Sequence, residues 1–281
     1  MPNFAQRFSL EATRPNAGEI AALAEILPAG TPVYFSAVPT ITEQELIAGA
    51  ALLRRRGLEP VIHVAARRIG AAADLANLLA GLRGEADVRR LLVIAGDIEP
   101  LGPFPDALAV IQKGRLRESG ITEIGIGAYP EGHHRIAAGR LEAALDEKIA
   151  AAAAQGLAVH IVSQFSFSPE RILAWLKRLR ACGINKPVKV GMAGPTSVPG
   201  LLRYAKRCGV DASLRGLMSG AAATLIGHVG PDRIVDALGE AGDLGDVAPH
   251  YFSFGGVVAT ARYASATARH AVAGRAMAQP N

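Results

Sequence analysis

The sequence predicts an α/β fold in which eight parallel strands and their helices close into a single (β/α)8 barrel. Short β-rich segments alternate with helical ones along most of the 281 residues, which is typical of parallel strands joined by crossover helices. We count eight such strands, the number that closes this barrel. The length also suits one barrel of this kind, so we predict one catalytic domain over residues 1–281.

The predicted strands are short and rich in β-branched or aromatic residues. They are 7–12 (RFSLEA), 32–37 (PVYFSA), 60–66 (PVIHVAA), 90–97 (RLLVIAGD), 123–130 (EIGIGAYP), 158–164 (AVHIVSQ), 187–193 (PVKVGMA) and 250–256 (HYFSFGG). The fifth strand runs directly into a cluster of side chains that exchange protons, in the segment GAYPEGHH. That cluster is the first indication of a functional site at the strand ends.

Helix start and stop signals occupy the segments between strands. Thr42 and Glu45 have the spacing of a capping box before the run LIAGAALLRRR, which stops at Gly57. Ser168 and Pro169 open another helix. The apolar residues of that helix recur at helical spacing and predict a face packed on the sheet: Ile172, Trp175, Leu176 and Leu179.

The long interval 194–249 separates the last two predicted strands. We expect helices there near 198–207, 210–227 and 231–239. An open doubly wound sheet is the alternative architecture. Its dinucleotide-binding version lacks its motif, because no GxGxxG follows the first strand.

Composition and charge exclude several classes of protein. The formal net charge is +5, but the basic residues are scattered on predicted helices without interleaved aromatic residues, so no nucleic-acid groove is predicted. No signal-peptide core and no apolar run of about 18 residues are visible, which predicts a cytoplasmic protein without a membrane span. Cys182 and Cys208 lack metal-site spacing, so neither a metal site nor a disulfide is predicted.

Polar side chains lie in or just after the predicted strands, where (β/α)8 barrels place their chemistry. Each of these residues, taken singly, has a structural explanation. Glu11 could form a salt bridge with a neighbouring arginine, and Asp97 could cap the next turn. His63 suits a buried hydrogen-bonded ring, and Gln164 suits contact with backbone. Their convergence on one end of the barrel favours a shared site. Its members are Glu11, Ser36, His63, Asp97, the Tyr129–His134 segment and Gln164.

The order of short motifs along the chain resembles that of the methylenetetrahydrofolate reductase family, whose members are flavin-dependent barrel enzymes. The matching segments are FSLE, IHVAA, AGD, GAYPEGHH, SQFSF, GMAGPTS and HYFSF, and they cover essentially the whole chain. The combination of YPEGH with SQF is the most specific part. The resemblance implies an oxidoreductase that interconverts 5,10-methylenetetrahydrofolate and 5-methyltetrahydrofolate, with FAD as cofactor and NADH or NADPH as co-substrate.

The resemblance also implies roles for individual residues. Glu11 matches the family's general acid toward the folate N5, and Asp97 matches the aspartate between flavin and pterin. Gln164 matches a glutamine that hydrogen-bonds the pterin, and Lys148 matches a lysine that contacts phosphate. Further substrate contacts are implied for Phe165 and Tyr204. The remaining cofactor-binding positions are Ser36, His63, Gly96, Asp97, Tyr129 and His133.

Some positions depart from the family pattern. Ala95 stands where the family has the arginine of Arg-Gly-Asp, and Phe104-Pro105 replaces a Tyr-Ala pair. Gly255-Gly256 replaces Asn-Arg after the last strand. The pterin-side residues are thus kept better than the cofactor-side ones. We therefore expect FAD to bind more loosely than in the family.

The implied reaction makes chemical demands on these residues. Opening the methylene bridge needs a proton donor, and a carboxylic acid serves only if its pKa is raised, which we expect for Glu11 beside a bound ring. An ionised Asp97 stabilises the iminium by its charge. Three alternatives stay open: direct hydride transfer without flavin, a folate-dependent barrel methyltransferase, and a non-catalytic folate-binding barrel. The choice of nicotinamide, the direction and homo-oligomer formation also stay open.

Overall fold

In the computed structural model, the described residues are 4–36, 38, 40–202, 228–229 and 231–278. Within these ranges, eight parallel strands close a barrel, which confirms the predicted fold class. The strands of the chain are β1 (Ser9–Ala12), β2 (Pro32–Phe35), β3 (Glu59–Ala65), β4 (Arg90–Ile94), β5 (Glu123–Ala128), β6 (Ala158–Ser163), β7 (Val188–Ala193), β8 (Thr196–Ser197), β9 (His228–Val229) and β10 (Val247–Phe252). The order around the barrel is β1, β10, β7, β6, β5, β4, β3, β2, and β8 pairs with β9 in a separate antiparallel ladder.

Helices follow the strands as the crossover pattern predicts. They are α1 (Ala17–Ile26), α2 (Glu43–Arg55), α3 (Ala72–Ala86), α4 (Ala107–Lys113), α5 (Ala138–Ala154), α6 (Pro169–Ala181), α7 (Asp232–Glu240) and α8 (Val257–Ala278), with short 3-10 turns at Phe4–Gln6 and Ala66–Arg68. The helix expected near 231–239 is α7. Residues 198–202 are helical, but the rest of the two other helices expected between β7 and β10 lies outside the described residues. No helix of the described ranges is both long enough and apolar enough to cross a membrane.

The helix caps read from the sequence are confirmed. The Thr42 side chain accepts a hydrogen bond from the backbone N–H of Glu45, and the Glu45 carboxylate accepts one from the N–H of Thr42. The chain then leaves α2 through Gly57, whose φ of +78° favours glycine. Ser168 caps α6, and the apolar residues predicted for its inner face are buried.

The last barrel strand spans 247–252, whereas the sequence predicted 250–256. Its residues pair in register with β7, from Val247 opposite Val188 to Phe252 opposite Ala193. The chain turns away after Phe252, where Gly256 has a φ of +106°. The strand predicted at 90–97 likewise ends early, at Ile94. Pairing with the neighbouring strand, rather than local composition, sets both boundaries.

The apolar core lies between the barrel and its helices, and the barrel interior is more polar. Successive side chains of a strand point to opposite faces, so the outward residues of the strands pack on the helices. Leu10, Leu91 and Ile161 are examples, and all are fully buried in the main apolar cluster. The inward residues include three buried histidines, His63, His160 and His250. Buried polar groups require hydrogen-bond partners, and those partners define the site.

Candidate active site

Glu11 lies inside the barrel near the carboxyl end of β1 and is contacted from three other strands. Ser36, directly after β2, donates a hydrogen bond from its Oγ to Oε1 of Glu11 at 2.7 Å. Nε2 of His250 lies 3.6 Å from Oε2 of Glu11, and Nε2 of His63 lies 3.9 Å from the same oxygen. The Glu11 side chain is only 16% exposed. The structure therefore brings two other sequence-predicted residues, Ser36 and His63, to the buried carboxyl group of Glu11.

His250 belongs to this cluster, although sequence reasoning did not single it out. Its Nδ1 lies 2.9 Å from Oγ of Ser9, and the carbonyl oxygen of Pro249 lies 3.5 Å from the same hydroxyl. Because Nε2 faces the ionised carboxylate of Glu11, the ring hydrogen is on Nε2, and Nδ1 accepts from the Ser9 hydroxyl. Alternation along β10 is the signal that could have found it, since His250 and Phe252 share the inward face.

Burial and charge act in opposite directions on this cluster. Burial raises the pKa of Glu11, but the charge of His63 and contacts with His250 and Ser36 outweigh it, so the pKa is lowered overall. Burial lowers the pKa of His63 and of His250, although Glu11 pulls both upward. The protein's own groups thus keep Glu11 ionised at neutral pH. The raised pKa expected for a general acid concerns the site with a ring bound above Glu11, where further exclusion of water acts against these groups.

Asp97 has a different environment on the loop after β4. Its side chain is 64% exposed, and its Oδ1 lies 2.5 Å from Nη2 of Arg68. Gly96 has a φ of +95°, which turns the chain away from the strand and toward Arg68. The backbone N–H of Arg67 donates to the carbonyl of Ala95 at 2.9 Å. Two arginines that follow β3 therefore lie beside the turn in which Ala95 replaces the family's arginine.

A cavity of about 830 Å³ opens beside the carboxyl ends of β4 and β5 and along α5. Tyr129 lines it, with its ring edge-on to His133 at 5.1 Å between centroids, and burial raises the pKa of Tyr129. Lys148 on α5 donates from Nζ to the carbonyl of Gly127 at 3.1 Å, and burial lowers its pKa to about 8. The other basic residues of the lining are Arg67, Arg140, Arg171 and Arg178.

Glu131 is an unusual member of the cavity lining. Both of its carboxylate oxygens are buried and lack a hydrogen-bond partner among the described residues, and its nearest cation is Arg171 at 3.9 Å. Burying an ionised carboxylate without hydrogen bonds is costly. The carboxylate thus has acceptor capacity that is not used by the described residues.

The predicted substrate-binding residues lie at the end of β6. The backbone N–H of Gln164 donates to the carbonyl of Ala128 at 2.8 Å, and its side-chain Oε1 accepts from the backbone N–H of Phe165 at 3.0 Å. Phe165 is fully buried against Phe252 and Phe254, with centroid distances of 5.5 and 4.9 Å. Tyr204 lies outside the described residues. Gln164 is therefore held in place by backbone contacts at the carboxyl end of the barrel.

These observations define a class of protein, namely a (β/α)8 barrel with a buried acid at the carboxyl end of its strands and a basic-lined cavity beside it. The family model for methylenetetrahydrofolate reductase matches residues 14–214, and the chain belongs to that family. Glu11 and His250 lie outside the matched segment. The structure, rather than the family match, brings these two residues together.

A curated relative supports the same family. It is the 5,10-methylenetetrahydrofolate reductase of Pectobacterium carotovorum subsp. carotovorum, which is 28% identical over 152 residues. The matched segment is 54% of this chain and 49% of the relative. The chain thus spans about half the length of the curated relative that it matches.

Solved structures of other proteins share the barrel. A putative phosphonomutase from Burkholderia cenocepacia J2315 superposes with a TM-score of 0.53 at 14% identity, covering 98% of this chain and 94% of the other. Dihydropteroate synthase from Thermus thermophilus has a TM-score of 0.51 at 15% identity, with coverage of 94% and 93%. At such identities the likeness concerns the fold alone.

Proposed function

We propose that this chain is a single-domain oxidoreductase that interconverts 5,10-methylenetetrahydrofolate and 5-methyltetrahydrofolate, with FAD as cofactor and NADH or NADPH as partner. Family membership supports the reaction class. The observation that carries the proposal is the buried Glu11, held by Ser36, His63 and His250 where a barrel places its chemistry. We propose a cytoplasmic enzyme that acts on a small folate, without nucleic acid or membrane as partner.

In the reductive direction the methylene carbon gains a hydride and the folate gains a proton as the bridge opens. Glu11 is the group that holds and delivers this proton. It is ionised in the protein alone, so it takes up a proton only when a bound ring excludes more water and raises its pKa. The Ser36 hydroxyl fixes Oε1, which leaves Oε2 beside the two imidazoles as the position for the proton.

Asp97 and Gln164 act on the folate from the opposite side of the barrel. A carboxylate stabilises the cationic iminium by charge, and the loop position of Asp97 after β4 allows that contact once its pairing with Arg68 is weakened. Gln164 offers both an amide donor and an amide acceptor, which a pterin edge requires. Its hydrogen bond with the N–H of Phe165 fixes the orientation of the amide.

The residues around the large cavity fit a flavin dinucleotide. Lys148 and Arg67 supply positive charge for a diphosphate, and Tyr129 supplies a ring at the carboxyl end of β5. The Glu131 carboxylate, which has no hydrogen-bond partner among the described residues, would accept hydrogen bonds from sugar hydroxyls. FAD bound here supplies the hydride carrier between nicotinamide and folate. We propose loose binding, because Ala95 and the Phe104-Pro105 segment replace cofactor-side residues of the family.

The ultraviolet–visible spectrum of the purified protein is the first test, because a bound flavin colours the protein yellow. Protein stripped of flavin is then assayed with each nicotinamide and each folate, with and without added FAD. A gain in activity on adding FAD supports the proposal. Full activity without FAD, and no gain on adding it, favours direct hydride transfer instead. Absence of turnover in both directions with FAD present contradicts the folate oxidoreductase function.

A further inference from the structure

A second polar cluster lies inside the barrel beneath Glu11, and the proposed reaction does not use it. Tyr34 reaches across the interior from β2, and its hydroxyl lies 2.6 Å from Nε2 of His160 on β6. Nδ1 of His160 lies 2.7 Å from Oε1 of Glu123, and Oε2 of that carboxylate lies 2.9 Å from Nε of Arg90. The contacts run from the amino ends of β4 and β5 to the centre of the barrel.

The ring of Tyr34 separates this cluster from the one around Glu11. It is fully buried, and it contacts His250 edge-on at 4.6 Å between centroids and His63 at 6.2 Å. Nζ of Lys189 lies 5.9 Å from the centre of the same ring. Tyr34 is therefore the surface against which both imidazoles that face Glu11 are packed.

The hydrogen bonds of this cluster have a defined direction. Burial, followed by the charge of Glu123, raises the pKa of Tyr34, so the phenol stays protonated and donates. Burial lowers the pKa of His160 although Glu123 opposes it, so the ring stays neutral. The neutral ring accepts from Tyr34 at Nε2 and donates from Nδ1 to Glu123. One orientation of the Tyr34 ring satisfies this arrangement.

The neighbouring strand makes room for the arrangement. A Cβ at Gly125 on β5 would lie 2.6 Å from Nε2 of His160, which is too close for any side chain. Glycine at this position therefore allows His160 to reach the phenol. The sequence of β5 is adapted to the contact between Tyr34 and His160.

We propose that Tyr34 is a positioning residue for the folate site, anchored through His160 so that its ring holds His63 and His250 at their distances from Glu11. The catalytic consequence rests on the proposed function, whereas the geometric consequence does not. Tyr34 touches neither substrate nor cofactor in this proposal. It acts through the two imidazoles on the carboxyl group that carries the proton.

Loss of the hydrogen bond between Tyr34 and His160 should raise the pKa of Glu11. Glu11 is faced by His63 from β3, His250 from β10 and the Ser36 hydroxyl after β2. His250 is also influenced by Lys189 and His160. The two imidazoles lower the pKa of Glu11 against the effect of burial. If they move away, the lowering weakens and the pKa of Glu11 rises.

The test replaces Tyr34 by phenylalanine, which keeps the ring and removes only the anchoring hydroxyl. We expect the pKa that Glu11 contributes to the pH profile of turnover to rise, because the two imidazoles that lower it are held less firmly. The kcat should fall by about tenfold, because small misplacements of catalytic groups are costly, with little change in KM. Tyr251→Phe is the matched control. Tyr251 is also fully buried in a barrel strand, but its hydroxyl has no hydrogen-bond partner within the described part of the chain.

A second variant tests the anchor from its other side. His160→Leu removes both ring nitrogens, and with them the acceptor for the Tyr34 hydroxyl, and leaves Tyr34 intact, so it should cause the same shift in the pH profile. The double variant should add little, because both substitutions break one contact. Additive effects would show that the two residues act independently and would overturn the proposal. If one single variant does not fold, the other still tests the anchor by itself.

Nitrogen-15 NMR of labelled histidine separates this proposal from the proposed reaction. In folded Tyr34→Phe protein, the imidazole resonances of His63 and His250 should change at neutral pH, as well as those of His160. If the wild-type protein has no folate activity, the function fails but this readout still stands. Unchanged resonances of both His63 and His250 would overturn the positioning role, whatever the activity.

Discussion

The two halves of the barrel's carboxyl end place the two acids assigned to the reaction in very different surroundings. The half formed by β1, β2, β3 and β10 holds Glu11, which is 16% exposed and contacted by a hydroxyl and two imidazoles. The half formed by β4 and β5 holds Asp97, which is 64% exposed and paired with Arg68. The first carboxylate is thus surrounded by packed side chains, whereas the second faces solvent and an arginine.

The different surroundings of Glu11 and Asp97 suit the two acids to different roles in one barrel. The proton affinity of Glu11 depends on fixed protein groups and on whatever excludes water above them. Asp97 lies on the loop after β4 with a side chain that is 64% exposed, so solvent reaches its charge. A buried acid suits proton transfer and an exposed one suits charge stabilisation. Substitutions in the two halves should therefore differ in kind and in size.

Glu11→Gln should have the largest effect. The amide keeps the shape of the side chain but cannot deliver a proton, and loss of a general acid commonly costs about 10²–10⁴ in rate. We expect kcat for folate turnover to fall in this range, while the FAD content of the protein is unchanged. Glu25→Gln, at an exposed position of α1, is the control. Near-normal turnover of Glu11→Gln would remove Glu11 from the mechanism.

Asp97→Asn should have a smaller effect, at the lower end of the range of about 10²–10³ for a preorganised charge. The reason is that solvent and Arg68 already moderate this carboxylate. Arg68→Gln should raise the rate or leave it unchanged, because this substitution removes the ion pair between Arg68 and Asp97. Steady-state kinetics of both variants check this. Equal losses for Asp97→Asn and Glu11→Gln would break the contrast between the two halves.

Gly125 and Gly127 lie two residues apart on β5, one in the packed interior and the other in open space, so substitutions there compare the two kinds of surroundings. A Cβ at Gly125 meets His160 in the packed interior, whereas a Cβ at Gly127 meets nothing within 4 Å. We expect Gly125→Ala to lower the free energy of unfolding by about 1–3 kcal/mol through overpacking. Gly127→Ala should leave it nearly unchanged. Denaturant unfolding curves measure both, and equal stabilities would mean that the interior around His160 is loosely packed.

Lys148→Met should weaken FAD binding by about tenfold, as expected for one hydrogen bond to a charged group. The pKa of Lys148 is lowered to about 8, so the ammonium is present below that pH and is lost above it. Wild-type affinity for FAD should therefore decline as the pH rises through about 8, and the variant should not show this decline. Fluorescence titration with FAD measures both. Lys177→Met, at an exposed position of α6, should bind FAD like the wild type.

Local signals in the sequence were sufficient for much of the fold. The Thr42 and Ser168 caps depend on residues within one helical turn, and both are confirmed. The strand count needs only the alternation of segments, and the closed barrel follows from it. The same reasoning placed Glu11, Ser36 and His63 at strand ends, and the structure brings these three together.

Short-range periodicity and capping were sufficient to predict the order of elements, the barrel and the acids at its carboxyl end. The start of the last strand at Val247 depends instead on pairing with β7, which sets its register. Barrel closure likewise brings His250 to Glu11 and His160 to Tyr34. The direction of the Glu11 pKa shift depends on those contacts. Contacts between residues far apart in sequence form only when the barrel closes, so no local pattern specifies them.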